Sequence, residues 1–237
     1  MELRITTLSE NTAGLIGVLA EWGLSILAEV DELRILMDTG ASISVPHNAA
    51  LLGVDLATID RIVLSHGHYD HTGGLKEVLA RGGRVEVIAH PDIFAAKYAR
   101  IGQKEGYVGI PTPREDLEAL GASFTLSAEP VWITGDIVTT GEIPMITEYE
   151  EIDPNLYVKA DDELVPDPLL DDRALIVKGD EGLVVVLGCS HRGIINTLLH
   201  AREITGVDVV HTVVGGTHLI GASEERVLLT AAALREF

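Results

Sequence analysis

Apolar positions along the chain fall into short runs rich in β-branched residues, separated by stretches with helical spacing. Leu24–Val30 and Leu33–Met37 read as two neighbouring strands, the second ending in Asp38-Thr39-Gly40. Ile59–Ser65 is another strand, Gly73–Arg81 a helix stopped by Gly82-Gly83, and Val85–Ala89 a strand again. Pro111–Leu120 opens on proline and carries Glu115, Asp116 and Glu118 in its first turns, where the helix dipole favours negative charge. Phe124–Leu126, Val131–Ile133, Ala174–Val177 and Leu183–Leu187 are further short strands. A helix over Ile194–Ile204, a strand over Val207–Val214 and a helix over Glu224–Phe237 complete the pattern. Strands gather early and again after residue 120 with helices between them. This points to sheets covered by helices rather than one open parallel sheet.

The least regular stretch is Gly141–Asp172. From Glu148 to Asp172 ten acidic residues stand against one basic residue, Lys159, together with Pro154, Pro166 and Pro168. A charge run of this kind is ordinarily a solvated surface insertion, and that is the first expectation. The alternative is a lid or wall that roofs a site.

Composition narrows the class. The 237 residues are 46% apolar with a mean hydropathy of +0.26, enough for a buried core and unlike a disordered chain. A single cysteine, Cys189, excludes an internal disulfide and fits a reducing, cytoplasmic interior. Met1–Thr6 lacks the basic-then-apolar pattern of a secretory leader, and no uncharged apolar run reaches the ~18 residues of a membrane span. Seventeen basic residues against 37 acidic ones give a net charge of −20, which repels a phosphate backbone and argues against nucleic acid as a partner. A small-molecule substrate is the expected partner. The pattern carries no signal for oligomeric state.

The chemistry concentrates in Ser65-His66-Gly67-His68-Tyr69-Asp70-His71-Thr72-Gly73-Gly74. Three histidines and an aspartate within six residues directly follow an apolar strand. Imidazole and carboxylate are the usual ligands of zinc and similar ions, and a strand end followed by a turn can aim them into one cavity. Gly67, Gly73 and Gly74 permit the tight path. Gly188-Cys189-Ser190-His191-Arg192-Gly193 and Gly215-Gly216-Thr217-His218-Leu219 each place a histidine after a further strand. His47, His200 and His211 read as structural or surface residues.

The string His66-x-His68-x-Asp70-His71 resembles the signature of the metallo-β-lactamase fold superfamily. Gly-Cys-Ser-His191 and Gly-Gly-Thr-His218 are similar to one branch of it, as are Asn11-Thr12, Trp22-Gly23-Leu24-Ser25, Ala89-His90-Pro91 and Gly141-Glu142-Ile143-Pro144. That branch is typified by the 7,8-dihydropterin-6-yl-methyl-4-(β-D-ribofuranosyl)aminobenzene-5′-phosphate synthases. The resemblance implies an α/β fold, an αββα four-layer sandwich formed as one domain over residues 1–237. It also implies two divalent ions, zinc by default, with manganese or iron as alternatives. His66, His68 and His191 would hold one ion, and Asp70, His71 and His218 the other. Asp70 would also take part in catalysis, and Asp38 would brace the ligand loop without binding metal. Cys189 occupies the position of a bridging aspartate in many members, yet as a lone cysteine it reads first as a small buried residue. Tyr69 and Arg192 adjoin ligands, with Arg192 suited to a phosphate or carboxylate. His90 and Glu142 are the expected substrate contacts. Relative to the branch the chain stops at Leu234–Phe237, before a His-Cys-Thr-Gly segment, so a shortened variant or a piece of a longer chain is expected. The implied activity is metal-dependent hydrolysis or a synthase-type reaction on a small phosphorylated or pterin-like molecule. A phosphodiesterase or nuclease and a non-catalytic metal-binding protein are the alternatives.

Overall fold

The computed structural model describes the backbone of residues 1–237 and all side chains except that of Ile101. Six strands form one sheet in the spatial order β1 (Leu3–Ser9), β2 (Ser25–Val30), β3 (Leu33–Met37), β4 (Arg61–Val63), β5 (Val85–Ala89) and β8 (Ala122–Leu126). The first three pair antiparallel, whereas β3, β4, β5 and β8 run parallel. A second sheet has five strands: β15 (Val210–Val214), β14 (Gly182–Leu187), β13 (Ala174–Gly179), β10 (Ile137–Thr139) and β9 (Val131–Trp132). Here β14 and β15 are parallel. A small third sheet, β12 (Glu163–Pro166), β11 (Leu156–Ala160), β6 (Lys97–Ile101) and β7 (Lys104–Tyr107), is antiparallel throughout.

Strand alternation builds four layers. Ile26, Ala28, Ile35, Met37, Val63 and Ile88 of the first sheet meet Ile137, Leu175, Val177, Val184 and Val186 of the second in one core. The opposite face of the first sheet, with Leu27, Leu36, Ile62 and Val87, packs on helices α1 (Ser44–Leu52), α3 (Leu75–Gly82) and α4 (Arg114–Ala119) through Val45, Ala49, Val78, Leu79 and Leu117. Ile176, Val185 and Leu187 on the outer face of the second sheet pack on Ile194, Leu198 and Ala201 of α5 (Ile194–Thr205), with Ala233 of α6 (Glu224–Ala233) alongside. Both sheets are covered on both faces, which is why β13 and β14 read as unbroken apolar runs without alternation.

Several elements depart from the sequence reading. β1 and α1 lie where no element was expected, and Pro46 sits in the first turn of α1, where its missing N–H costs nothing. The chief correction concerns Gly141–Asp172, which is neither irregular throughout nor simply solvated. It contains β11 and β12, and Glu150, Asp167, Asp171 and Asp172 within it are buried. Each carboxylate accepts a donor from elsewhere. Glu150 takes the Ile195 and Asn196 N–H groups (2.9 and 2.8 Å), which the first turn of α5 leaves without intrahelical partners. No described helix is long and apolar enough to cross a membrane.

Candidate metal centre

Parallel strands send their C-terminal ends to one edge, and the loops after β3, β4, β14 and β15 gather there. The loop after β4 carries His66 and His68 into the short helix α2 (Tyr69–Thr72), which holds Asp70 and His71. The loop after β3 supplies Asp38, the one after β14 supplies Cys189 and His191, and the one after β15 supplies His218. Asp38, Ser190 and His218 all adopt positive φ, at 60°, 55° and 45°. This conformation is uncommon in non-glycine residues, aspartate and histidine tolerating it better than most. Gly74 serves the site by close approach rather than handedness, since a Cβ there would lie 2.0 Å from the Thr39 carbonyl oxygen.

Asp38 is fully buried beneath the cluster. Its Oδ1 accepts the Ser65 backbone N–H (2.7 Å), and its Oδ2 accepts from Ser65 Oγ (2.6 Å) and from His71 Nδ1 (2.6 Å). Ser65 Oγ has given its one proton to Asp38, so it accepts from His66 Nδ1 (2.9 Å). One carboxylate and one hydroxyl therefore hold protons on the Nδ1 atoms of two imidazoles. Both Nε2 atoms are left facing the centre, the arrangement by which buried partners orient metal-binding histidines. Ser65 has no signal in the sequence beyond its adjacency to His66.

At the centre His66 Nε2 lies 3.2 Å from His191 Nε2, and His71 Nε2 lies 3.0 Å from Cys189 Sγ and 3.6 Å from Asp70 Oδ2. His68 Nε2 is buried with no partner. Burial, then the neighbouring histidines and Lys97, pushes His66 and His191 well below the ordinary histidine range, and burial followed by Lys97 does the same to His68. These three imidazoles are neutral, as ligands must be. Burial also pushes His71 down, but Cys189 and Asp38 outweigh it and the net direction is well up; burial pushes the Cys189 thiol up. Three sets of residues bring one ligand atom each to within 4.8 Å of the others: His66, His68 and Asp70; His66, Cys189 and His191; Asp70, His71 and Cys189. A soft thiolate, borderline imidazoles and one carboxylate suit zinc or a similar divalent ion, and the orphaned His68 nitrogen gives such an ion a place.

The expected residues separate in this geometry. His66, His68, Asp70, His71 and His191 come together. Cys189 joins them, contrary to its first reading as a small buried residue. His218 does not enter any of the three sets: its ring centroid lies 4.2 Å from that of His191, the planes tilted by 49°, and its Nε2 lies 3.9 Å from Asp153 Oδ2. Arg192 is committed elsewhere, donating to the carbonyl oxygens of Ile143 (2.5 Å) and Pro168, so it ties the 141–172 segment down instead of facing a substrate. His90 Nε2 pairs with Glu142 Oε1 at 3.1 Å, and neither lines the main cavity. Tyr69, half exposed, does.

That cavity, about 1080 Å³, opens directly above the cluster. Its floor includes His68, Asp70, His71, Cys189 and His191; its walls include Trp22, Tyr69, Arg100, Asp153 and Asn155. Asp153 and Asn155 come from the acidic segment, which acts as a wall. Arg100 lies 4.1 Å over the Tyr157 ring and pairs with Glu105.

Behind the cluster, Asp172 accepts the Arg192 N–H through Oδ2 (2.8 Å), while its Oδ1 is buried without a partner. Burial pushes this carboxyl from 3.8 up to about 7, against the opposing Arg192 N–H. The folded state thus keeps a proton that the unfolded chain releases. Stability falls as pH rises from about 4 to about 7, by up to about 4 kcal/mol for this group. Asp172→Asn keeps an acceptor for Arg192 and has no proton to lose. In the metal-free protein its melting temperature should rise relative to wild type between pH 5 and pH 8; parallel pH profiles would refute the assignment.

A profile of the metallo-β-lactamase superfamily matches residues 23–194. The chain is 35% identical over 247 residues to 7,8-dihydropterin-6-methyl-4-(β-D-ribofuranosyl)-aminobenzene-5′-phosphate synthase of Methanocaldococcus jannaschii, covering 99% of this chain and 83% of that protein. An uncharacterized protein of the same organism is 38% identical over 209 residues, covering 86% and 75%. The crystal structure of a metal-dependent hydrolase of the β-lactamase superfamily matches with a TM-score of 0.84 at 30% identity, over 99% of this chain and 84% of that one.

Proposed function

We propose that this chain, which belongs to the metallo-β-lactamase superfamily, uses a pair of divalent cations, zinc first, to act on a small phosphorylated molecule with a planar, pterin-like ring. The observation that carries the proposal is the convergence of neutral imidazole nitrogens, a thiol and a carboxylate on the floor of a large cavity, with the His68 nitrogen buried and unpaired. In this reading His66, His68 and His191 hold one cation. Asp70, His71 and Cys189 hold the other, and His218 stands beside His191 at the cavity wall. When bound, the cations would supply Lewis acidity to a phosphoryl or water oxygen.

The chain's own residues do the rest. Asp38 and Ser65 keep the His66 and His71 protons on Nδ1. Asp70 lines the cavity floor and would orient a reacting oxygen and accept its proton. Trp22 and Tyr69 present exposed rings on which a flat heterocycle can lie. Arg100 is the one basic side chain among the described lining residues, and it offers an anionic group a partner in an otherwise acidic protein.

The curated relative's name supports a synthase-type joining reaction, and the description of the solved relative supports hydrolysis. One experiment separates them. The full chain is loaded with zinc, its metal content measured, and turnover tested both on a dihydropterin with ribofuranosylaminobenzene phosphate and on generic phosphodiesters and lactones. Turnover of the first pair alone supports the synthase; turnover of simple esters alone supports the hydrolase. Absence of bound metal under all loading conditions overturns the proposal.

A further inference from the structure

Lys97, at the start of β6, is 1% exposed, and its ammonium lies between two buried carboxylates, 2.8 Å from Asp167 Oδ2 and 2.9 Å from Asp171 Oδ1. Asp171 uses its other oxygen to accept the backbone N–H of Gly67 at 2.8 Å. Gly67 is the residue between His66 and His68. Asp167 in turn accepts the Leu169 N–H at 2.8 Å, fixing its own position. Every charged atom of the triad has a partner, as a buried ion group requires. The triad draws on two elements. Lys97 belongs to the small sheet that carries Arg100 in the cavity wall, and β11 of the same sheet pairs with it at Val158. Asp167 and Asp171 belong to the acidic segment.

We propose that Lys97, Asp167 and Asp171 form a positioning device that sets the His66–Gly67–His68 loop from behind and joins its placement to the cavity wall. The inference rests on the metal-site reading above. Asp171 is a two-sided acceptor between two donors, Lys97 Nζ and Gly67 N, and no neutral residue of its shape can replace it. The amide of asparagine has one acceptor oxygen, so its NH₂ must confront either Lys97 or Gly67.

The test is zinc affinity, measured on the full chain by competition with a chromophoric chelator, for wild type, Asp171→Asn and Lys97→Gln. Folding of each variant is checked by its metal-free melting curve. Asp171→Asn is expected to weaken zinc binding by about tenfold or more, in the range seen when partners of metal ligands are removed. Lys97→Gln, which can still donate to one aspartate, is expected to weaken it by a smaller factor. A device that served stability alone would lower the melting temperature and leave zinc affinity unchanged. Wild-type affinity in a folded Asp171→Asn, or in a folded Lys97→Gln should the first not fold, overturns the inference and leaves the metal site standing. Failure of the wild type to bind zinc overturns the metal-site reading and this one with it.

Discussion

Replacing His66 and His68 together by alanine is expected to remove at least one bound ion per chain and to lower turnover on the order of a thousandfold or more, without destabilising the metal-free protein. The last clause distinguishes ligands from core histidines. Burial pushes both imidazoles well down, and His68 Nε2 is buried with no partner. Leaving a buried polar atom unsatisfied costs about 1–3 kcal/mol, so a histidine without its ion is a liability to the fold. The double variant discards that liability and leaves a small cavity, two effects of opposite sign. What it loses is linkage: an ion present at a thousand times its dissociation constant stabilises the folded state by about 4 kcal/mol. The zinc-induced rise in melting temperature should therefore shrink by what the lost ion contributed, while the metal-free melting point hardly moves. Unchanged metal content in the variant would dispose of the metal site.

The site was legible in the sequence where its chemistry is local. Four ligand-type side chains within six residues need no fold to be noticed, and the strand before them was plain from its apolar run. Legibility failed where function depends on a partner far along the chain. Cys189 read as a small buried residue even with His191 two positions on, because the partner that draws its sulfur into the cluster, His71, lies 118 positions earlier. The acids of 148–172 read as solvated for the same reason. A carboxylate's burial depends on whether Lys97, Gly67 or the first turn of α5 will meet it, and none of those is adjacent. Arg192 next to a ligand suggested an anion contact, but carbonyls of the folded segment had already claimed its guanidinium. Among the elements, α1 was hidden by Pro46, which breaks a helix everywhere except in its first turn.

Asp38→Asn should leave the fold intact and cost the second cation position about ten- to a hundredfold in zinc affinity. Asp38 Oδ2 now accepts from both Ser65 Oγ and His71 Nδ1. Asparagine has one acceptor and one donor face. If its oxygen keeps the Ser65 N–H, its NH₂ points at His71 Nδ1, which can then only accept. The neutral imidazole must then carry its proton on Nε2, the atom that faces Cys189 Sγ and Asp70. The ligand atom is thereby blocked by a proton, with no ligand removed and no volume changed. Ser65 can rotate its hydroxyl, so His66 is affected less than His71. The outcome is asymmetric: one ion retained per chain, the other weakened, and nitrogen NMR showing the His71 proton transferred to Nε2. Asp38→Ala lacks this selectivity, since it strands Ser65 and His71 together beneath the cluster. It should destabilise the metal-free protein by about 3–5 kcal/mol, as expected when one partner of a buried charged network is deleted. Equal weakening of both ions in the asparagine variant, or retention of the His71 proton on Nδ1, would show that Asp38 merely fills space under the loop.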